Sequence, residues 1–259
     1  MRIAIHQMMS TDRSVADLAA HLDRACARAK TGGADVVIFP EMALTGYNIG
    51  AARIRQLAEP RDGLMVQILR DMARHHAIGV LCGFPEAEGA DVFNAAALID
   101  AQGTVLSICH KAHLFGDVDR AAFRAAGALC PLVQFGDWSV GLAICYDVEF
   151  PELVRAYALA GAEAVLVPTA NMHPYIGVAT RVVPARAEEN EVYVAYANRV
   201  GTEGAFDYCG LSCVTGPDGL DMARAGAGEE MIFADLSKDQ LANVRRSLSH
   251  LKDRRSDLY

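Results

Sequence analysis

The feature of this sequence that most constrains its fold is a series of short apolar segments that recur along the whole chain. They are four to seven residues long and lie at residues 3–6, 36–39, 78–84, 95–99, 140–144, 164–168 and 192–197. Their length predicts buried β-strands, because a membrane-spanning helix needs about 20 apolar residues. Strands that alternate with helical segments predict an α/β fold whose sheets are covered by helices.

Four segments between these strands predict helices. Residues 13–30 place apolar side chains at helical spacing, with Ser14 or Thr11 as the N-cap and a Gly-Gly pair at 32–33 as the stop. Residues 62–75, 151–159 and 177–190 predict three more. Glycines interrupt residues 206–233, which predicts hairpins there. No linker or repeat divides the chain, so we expect one domain over residues 1–259.

Composition and charge exclude several classes of function. Hydrophobic residues make up 52% of the chain and charged residues 22%, as in ordinary globular proteins. Acidic residues outnumber basic ones by 32 to 24, giving a net charge of -8, which argues against nucleic acid as a partner. The N-terminal segment resembles a strand rather than a secretion signal, so we expect a cytoplasmic protein without membrane contact. The seven cysteines are scattered, and their spacing favours neither a disulfide framework nor a zinc ribbon.

Three polar residues follow predicted strands at the places where an α/β fold exposes side chains for chemistry. Glu41 follows the strand at 36–39, Lys111 follows a strand predicted to end at His110, and Cys145 follows the strand at 140–144. Because the carboxyl ends of parallel strands meet at one edge of a sheet, these three side chains are candidates for a shared crevice.

Cys145 taken alone would be interpreted as a buried packing residue, like most scattered cysteines. The residues that follow it favour a nucleophile instead. The chain turns there from a strand toward a helix that Pro151 begins. A thiol at a helix N-terminus is favoured as thiolate, which predicts a lowered pKa. Near Lys111, the pair His110 and His113 is a weak metal motif that lacks a further ligand at a familiar spacing, so we expect no metal and no cofactor.

The segments around these residues resemble the three signature regions of the nitrilase superfamily of carbon–nitrogen hydrolases. They read FPEMALTGY at 39–47, HKAHLF at 110–115 and ICYDVEFPE at 144–152. Supporting similarities are GFPE at 83–86, FNAAA at 93–97, PTANM at 168–172, ARAEEN at 185–190 and VYV at 192–194. The resemblance covers nearly the whole chain.

This resemblance implies a four-layer αββα sandwich that associates through its helices as a homodimer or larger assembly. The C-terminal tail, about residues 247–259, is a candidate for subunit contacts. It also implies the hydrolysis of an amide to an acid and ammonia through a cysteine thioester, with water as the second reactant. Cys145 would attack the carbonyl, Glu41 would move protons with a pKa raised by the neighbouring thiolate, and Lys111 with the Tyr146 backbone N–H would hold the oxyanion.

Within the superfamily, YNIG at 47–50, HLFG at 113–116 and VPTANM at 167–172 resemble aliphatic amidases, particularly the 5-aminopentanamidase type. Asp119 stands where the family often has a second glutamate, and it is expected to orient Glu41 or Lys111 or to position water. Pro184 replaces an expected arginine, so only Arg186 carries over, as an ion-pair partner. The resemblance also implies substrate contacts, for which the candidates are Tyr47, Tyr146, Asn171 and His173, with Asp117 or Glu149 meeting a substrate ammonium.

Four alternatives remain open from the sequence. A nitrilase would use the same cysteine through a thioimidate. An ω-amidase or deaminated-glutathione amidase would carry an arginine or lysine in its acyl pocket. A non-catalytic scaffold is disfavoured by the complete set of Glu41, Lys111 and Cys145, and a papain-like enzyme is disfavoured because Cys145 lacks that family's local signature.

Overall fold

The computed structural model of the chain describes residues 1–258. Its strands, in chain order, are β1 Arg2–Met9, β2 Val36–Ile38, β3 Gly79–Glu88, β4 Asp91–Ile99, β5 Val105–His110, β6 Val133–Phe135, β7 Trp138–Leu142, β8 Ala164–Pro168, β9 Tyr193–Ala197, β10 Arg199–Glu203, β11 Phe206–Cys209, β12 Cys213–Thr215, β13 Asp221–Arg224 and β14 Glu230–Asp235. The seven apolar segments of the sequence all contribute to these strands.

The helices lie between and after the strands. They are α1 Val15–Thr31, α2 Ala51–Leu57, α3 Leu64–His76, α4 Gly116–Ala122, α5 Pro151–Leu159, α6 Val183–Asn190, α7 Lys238–Ser247 and α8 His250–Asp253. A 3₁₀ turn at Cys145–Glu149 precedes α5, and a π-helical turn at Val178–Val182 precedes α6. None of the helices in residues 1–258 has the length and apolar character needed to cross a membrane.

The strands form two separate sheets. In the first, the order is β11-β10-β1-β2-β3-β4-β5, and β14 also pairs with β1; in the second it is β13-β12-β9-β8-β7-β6. The pairs β1–β2 and β2–β3 are parallel, as are β7–β8 and β8–β9, so each sheet has a parallel centre with antiparallel strands at its sides. The expected hairpin among the glycine-rich residues is present as β12–β13.

The core is divided into layers because successive residues of a strand point to opposite faces. In β1, Ile3 and Ile5 pack between the two sheets, whereas Ala4 packs toward α1 and α3. In β8, Leu166 faces the first sheet, and Val165 packs under α5 and α6. The resulting helix–sheet–sheet–helix arrangement confirms the predicted α/β fold of the four-layer αββα type.

The predicted helices agree with the structure where the sequence contains capping signals. The Ser14 side chain accepts a hydrogen bond from the backbone N–H of Asp17 and begins α1, as expected for an N-cap. Pro151 is the first residue of α5, which has the predicted bounds. The predicted helix at 177–190 begins instead with the π-helical turn. Helices α2, α4, α7 and α8 were not predicted. Helices α2 and α4 have only seven residues each, and neither N-cap position makes a side-chain cap within the described residues. Helix α7 buries a single side chain, Leu241, and α8 has four residues, so neither has a clear apolar periodicity.

Candidate active site

The fold brings the three predicted catalytic side chains to one end of the paired sheets. Glu41 lies just after β2, Lys111 just after β5, and Cys145 begins the 3₁₀ turn after β7. Lys111 Nζ lies 2.8 Å from Glu41 Oε1, and the charges of both groups act on the Cys145 thiol. A carboxyl, an ammonium and a thiol from distant parts of the chain therefore share one site.

The ammonium of Lys111 is held between two carboxylates in the interior. It lies 2.7 Å from Asp119 Oδ2 as well as 2.8 Å from Glu41, and all three side chains are fully buried. Asp119 Oδ1 also accepts a hydrogen bond from the Tyr47 hydroxyl at 2.8 Å, and Asp119 Oδ2 accepts one from the Phe115 backbone N–H. Asp119 thus fixes the position of Lys111 and is itself held by two donors.

The two oxygens of Glu41 have different environments. Oε1 accepts hydrogen bonds from Lys111 Nζ and, at 2.6 Å, from Asn94 Nδ2. Oε2 is buried and has no hydrogen-bond partner among residues 1–258. Because a buried carboxylate oxygen without a donor is unfavourable, Oε2 is the atom of this site that is available to take a proton or a substrate hydrogen.

Close packing of the backbone holds Glu41 in place. A Cβ atom added to Gly83, at the centre of β3, would lie 2.7 Å from the Glu41 Cα and 2.6 Å from the Met42 backbone nitrogen. Only glycine at this position allows β3 to lie this close to the backbone of Glu41 and Met42. The backbone N–H of Glu41 also donates to the Thr169 carbonyl, which follows β8 in the second sheet. The position of Glu41 therefore depends on both sheets.

Cys145 has a backbone conformation that few residues adopt. Its φ is +49°, in the left-handed region, at the point where the chain leaves β7 and begins the 3₁₀ turn. Such a sharp turn projects a side chain away from the sheet, and Cys145 is partly exposed while Glu41 and Lys111 are buried.

Asp147 connects the turn that carries Cys145 to the segment that carries Lys111. Its Oδ1 accepts hydrogen bonds at 2.8 Å from both the backbone N–H and the imidazole Nδ1 of His113. Its Oδ2 accepts a hydrogen bond from the Ile144 backbone N–H at 3.1 Å. One buried carboxylate therefore sets the relative positions of the thiol and the ammonium.

Burial determines the protonation states of the triad. Burial raises the pKa of Glu41, against the attraction of Lys111, and the nearby charge of Asp119 adds to the increase. Burial alone would lower the pKa of Lys111, but Glu41, Tyr47 and Asp119 raise it well above its usual value. Lys111 is therefore cationic at neutral pH, and Glu41 has the raised pKa that a group exchanging protons needs. The increase comes mainly from burial rather than from the thiolate.

The expected lowering of the Cys145 pKa is wrong for this state of the protein. Although Cys145 as a whole residue is partly exposed, protein surrounds its thiol. This burial of the sulfur and the Glu41 carboxyl raise the pKa of the thiol, and the opposing effect of Lys111 is smaller. The resting thiol therefore carries its proton. A neutral thiol beside a proton acceptor fits a mechanism in which deprotonation accompanies attack on the substrate.

Two further predicted residues lie on the same turn as the thiol. Tyr146 follows Cys145, and its ring packs edge-on against Phe115 at 5.4 Å and Phe150 at 4.9 Å between ring centroids. Glu149 is half-buried; burial raises its pKa, and the charges of Lys111 and Arg186 oppose that increase. The Glu149 carboxyl is therefore within electrostatic range of the site.

The remaining predicted residues lie outside this cluster or are bonded to the fold. Asn171 is buried: its side chain donates to the Tyr175 carbonyl, and its backbone pairs with the Asn198 side chain. His173 is exposed. The Asp117 side chain is also fully exposed on α4, with Arg120 as its ion-pair partner at 4.0 Å. Between the two candidates for an ammonium contact, only Glu149 faces the buried charges.

The sequence of this chain matches a known protein family. The family described as "Carbon-nitrogen hydrolase" matches residues 2–246, which is nearly the whole chain. The chain belongs to the carbon–nitrogen hydrolase family. The prediction of a nitrilase-superfamily amidase is confirmed by the relatives and solved structures that follow.

Curated relatives of this carbon–nitrogen hydrolase match most or all of its length. "Hydrolase in pqqF 5'region" of Pseudomonas protegens is 43% identical, over 100% of this chain and 90% of the relative. The "(R)-stereoselective amidase" of a Pseudomonas species is 35% identical, over 98% and 92%. "Omega-amidase NIT2" of Homo sapiens is 32% identical, over 92% and 91%.

Solved structures of an amidase from Nesterenkonia sp. AN1 have the same fold as this carbon–nitrogen hydrolase. One is a mutant showing the result of Michael addition of acrylamide at the active-site cysteine. It is 33% identical, covers 100% of this chain and 98% of its own, and superposes with a TM-score of 0.86.

Sequence reasoning missed two residues of the carbon–nitrogen hydrolase site, Asn94 and Asp147. Both lie within the segments that carry the resemblance, but neither was assigned a role. Asn94 is a fully buried amide in the middle of β4, and Asp147 is a buried carboxylate three residues after Ile144. The available signal was a strongly polar residue inside an apolar segment, which burial makes unfavourable unless it has a partner. Arg186 has the ion-pair role expected of it, with Glu189 at 2.9 Å.

Proposed function

We propose that this protein hydrolyses a small aliphatic primary amide to the carboxylic acid and ammonia through a thioester on Cys145. The observation that carries the proposal is the environment of Glu41. One oxygen is held by Lys111 and Asn94, and the other is buried near the Cys145 thiol without a hydrogen-bond partner in the part of the chain that the structure describes. This arrangement supplies a proton acceptor, a cation and a nucleophile at one point.

The first half-reaction forms the thioester. Cys145 Sγ attacks the amide carbonyl as its proton passes to Glu41 Oε2, and the carbonyl oxygen becomes an oxyanion. Lys111 Nζ and the Tyr146 backbone N–H, one of the first N–H groups of the 3₁₀ turn, stabilise that charge. Glu41 then gives its proton to the amide nitrogen, the C–N bond breaks, and ammonia leaves.

The second half-reaction returns the enzyme to its starting state. A water molecule gives a proton to Glu41 and attacks the thioester carbonyl, and the oxyanion donors act again. The C–S bond breaks, the acid is released, and the proton on Glu41 returns to the Cys145 sulfur. Glu41 takes and gives a proton in each half-reaction, which its raised pKa favours.

We propose a substrate with a cationic end, of the 5-aminopentanamide type. Glu149 lies four residues after the nucleophile and is half-buried, so its carboxylate can bind an ammonium at the far end of the acyl chain. The aromatic rings of Phe115, Tyr146 and Tyr175 pack against one another beside the turn and offer an apolar wall for methylene groups.

The test compares 5-aminopentanamide with pentanamide, which has the same chain length without the charge. Glu149→Gln should lower kcat/KM for the cationic amide by roughly 10- to 100-fold, because a charge-assisted hydrogen bond is lost, and should leave pentanamide nearly unchanged. The matched control is Asp117→Asn, which removes an exposed acid. An equal loss with both amides would exclude Glu149 as the ammonium partner.

The same assay distinguishes the other members of the superfamily. Preferential turnover of glutaramate would favour an ω-amidase, and ammonia release from pentanenitrile would favour a nitrilase. Cys145→Ala should abolish turnover of every substrate, and intact-mass measurement on the wild type during turnover should detect the acyl group. Retained turnover in Cys145→Ala would exclude the proposed nucleophile.

We further propose that the protein forms a homodimer or a larger homo-oligomer with its tail at the subunit interface. Leu159, at the end of α5, is about half exposed. A cavity of about 700 Å³ lies between the start of α5 and α8, lined by residues such as Pro151, Arg155 and His250. Residue 259, the end of the predicted tail, lies outside the described residues. Light scattering on the full chain and on a chain ending at residue 246 tests this proposal, which predicts a smaller assembly after truncation.

A further inference from the structure

A cluster of titratable side chains lies where β1, α1 and the turn before β14 meet. His6 belongs to β1, His21 to α1, and Glu229 directly precedes β14. The two Nε2 atoms are 3.0 Å apart. Glu229 Oε1 lies 3.0 Å from His21 Nε2 and 3.7 Å from His6 Nε2. Three atoms with metal-binding chemistry therefore point to one place.

Their spacing fits a small tetrahedral ion. Atoms bound to zinc at about 2.0–2.1 Å in tetrahedral geometry lie roughly 3.3 Å from one another. The observed separations of 3.0, 3.0 and 3.7 Å are close to that value. Two imidazoles with one carboxylate form a donor set of Zn²⁺ and related transition ions, whereas Mg²⁺ and Ca²⁺ prefer oxygen ligands alone.

Hydrogen bonds leave part of this cluster unsatisfied. The Nε2 atoms of His6 and His21 can share one hydrogen bond, in which one ring donates and the other accepts. His6 is 1% exposed, and its Nδ1 has no hydrogen-bond partner within residues 1–258. A cation at the centre would interact favourably with all three atoms.

The carboxylate is held in position by neighbouring residues of β1. Gln7 Nε2 donates hydrogen bonds to the carbonyls of Gly226 and Gly228, at 2.9 and 2.7 Å, and so fixes the turn before Glu229. The Met9 backbone N–H donates to Glu229 Oε2 at 3.3 Å, which leaves Oε1 directed at the histidines. Such outer hydrogen bonds orient the ligands of metal sites.

We propose that His6, His21 and Glu229 form a binding site for one divalent transition-metal ion of the Zn²⁺ type, with water completing its coordination. The site joins the first strand and first helix to the turn before the last strand, so a bound ion ties the two ends of the chain together. The role is structural, because the ligands are not the residues assigned to amide hydrolysis.

The test uses the untagged full chain, freed of metal by chelation, in a Cys145→Ala background that removes the active-site thiol as a competing ligand. Titration with Zn²⁺ should show one ion per chain and a rise in melting temperature. His21→Ala and Glu229→Gln, both at partly exposed positions, should each weaken binding at least tenfold. His75→Ala, an exposed histidine on α3, should bind as the parent does.

Substitution with Co²⁺ identifies the donor atoms. Nitrogen and oxygen ligands give d–d absorption without the intense near-ultraviolet band of a thiolate ligand. That spectrum, lost in His21→Ala and retained in His75→Ala, is the expected result. Absence of stoichiometric binding, affinity unchanged in both ligand variants, or a thiolate band would each overturn the proposal. Circular dichroism on every variant shows whether a loss of binding reflects a loss of folding.

Discussion

Asp119 Oδ2 lies 2.7 Å from the ammonium of Lys111, and neither side chain is exposed to solvent. Removing this charge with Asp119→Asn should lower the pKa of Lys111, because Asp119 is among the groups that raise it. We expect kcat to fall by roughly 10- to 100-fold, the effect of losing a charged hydrogen bond, and the alkaline limb of the pH–rate profile to move to lower pH.

The control for this prediction is Asp117→Asn, two residues earlier on α4, where the carboxylate is fully exposed. It changes the net charge equally but should leave the pH–rate profile in place. An equal shift in both variants would mean that Asp119 acts through net charge rather than through contact with Lys111.

Glu41→Gln should retain most of the shape of the site but abolish its ability to exchange protons. Turnover should fall by about 100- to 10,000-fold, the usual contribution of general acid–base catalysis. Ammonia release gives the rate, and thermal unfolding shows whether the fold persists. Activity within tenfold of the wild type would show that another group takes the thiol proton.

Tyr47→Phe should destabilise the protein, although phenylalanine keeps the ring and removes only the hydroxyl group. The lost hydroxyl leaves Asp119 Oδ1 buried without a donor, at a cost of about 1.5–3 kcal/mol in the free energy of unfolding. Urea denaturation measures the change. Tyr175→Phe, at an exposed ring, should cost much less, and a similar loss in the two variants would contradict the role given to the Tyr47–Asp119 bond.

Gly83→Ala should displace Glu41, because the added methyl group would collide with the backbone at Glu41 and Met42. Overpacking of this kind costs about 1–3 kcal/mol of stability, and we expect kcat to fall as well. Gly127→Ala is the control, since a Cβ there has no neighbour within 4 Å. Unchanged activity in Gly83→Ala would show that the site tolerates movement of Glu41.

The ion pair between His113 and Asp147 should make stability depend on pH. The hydrogen bond to Asp147 raises the pKa of His113 above its usual value. Its contribution is fully present below the unfolded pKa of about 6.5 and is lost as pH rises through the higher folded value. The stability difference between wild type and His113→Gln should therefore shrink from pH 5.5 to 8.5 in urea titrations, and a difference that grows would contradict this assignment.

The sequence predicted most of the fold because its signals are local. The apolar segments and the Ser14 and Pro151 helix starts depend only on neighbouring residues, and they agree with the structure. Strand order and the division into two sheets could not be read from these signals. The division into two sheets followed from the family resemblance. The strand order was not predicted, since pairings such as β1 with β10 and β14 join residues at opposite ends of the chain.

The sequence likewise predicted only those parts of the candidate site that have a local signal. Glu41, Lys111 and Cys145 each end an apolar strand, which is a local signal. The Asn94 bond to Glu41 spans 53 positions, so no local pattern reveals it. The sign of the Cys145 pKa shift also depends on how much protein surrounds the thiol, and a helix N-terminus in the sequence gives no measure of that burial.

Asp147 links the loop that bears Cys145 to the loop that bears Lys111, which limits how the two loops can vary independently. Since a single carboxylate anchors both loops, we expect a substitution that displaces one loop to displace the other as well. The relative positions of the thiol and the ammonium are therefore coupled. Under the proposed mechanism, we therefore expect changes of substrate preference at side chains that do not anchor these loops, such as Glu149 and the neighbouring aromatic rings.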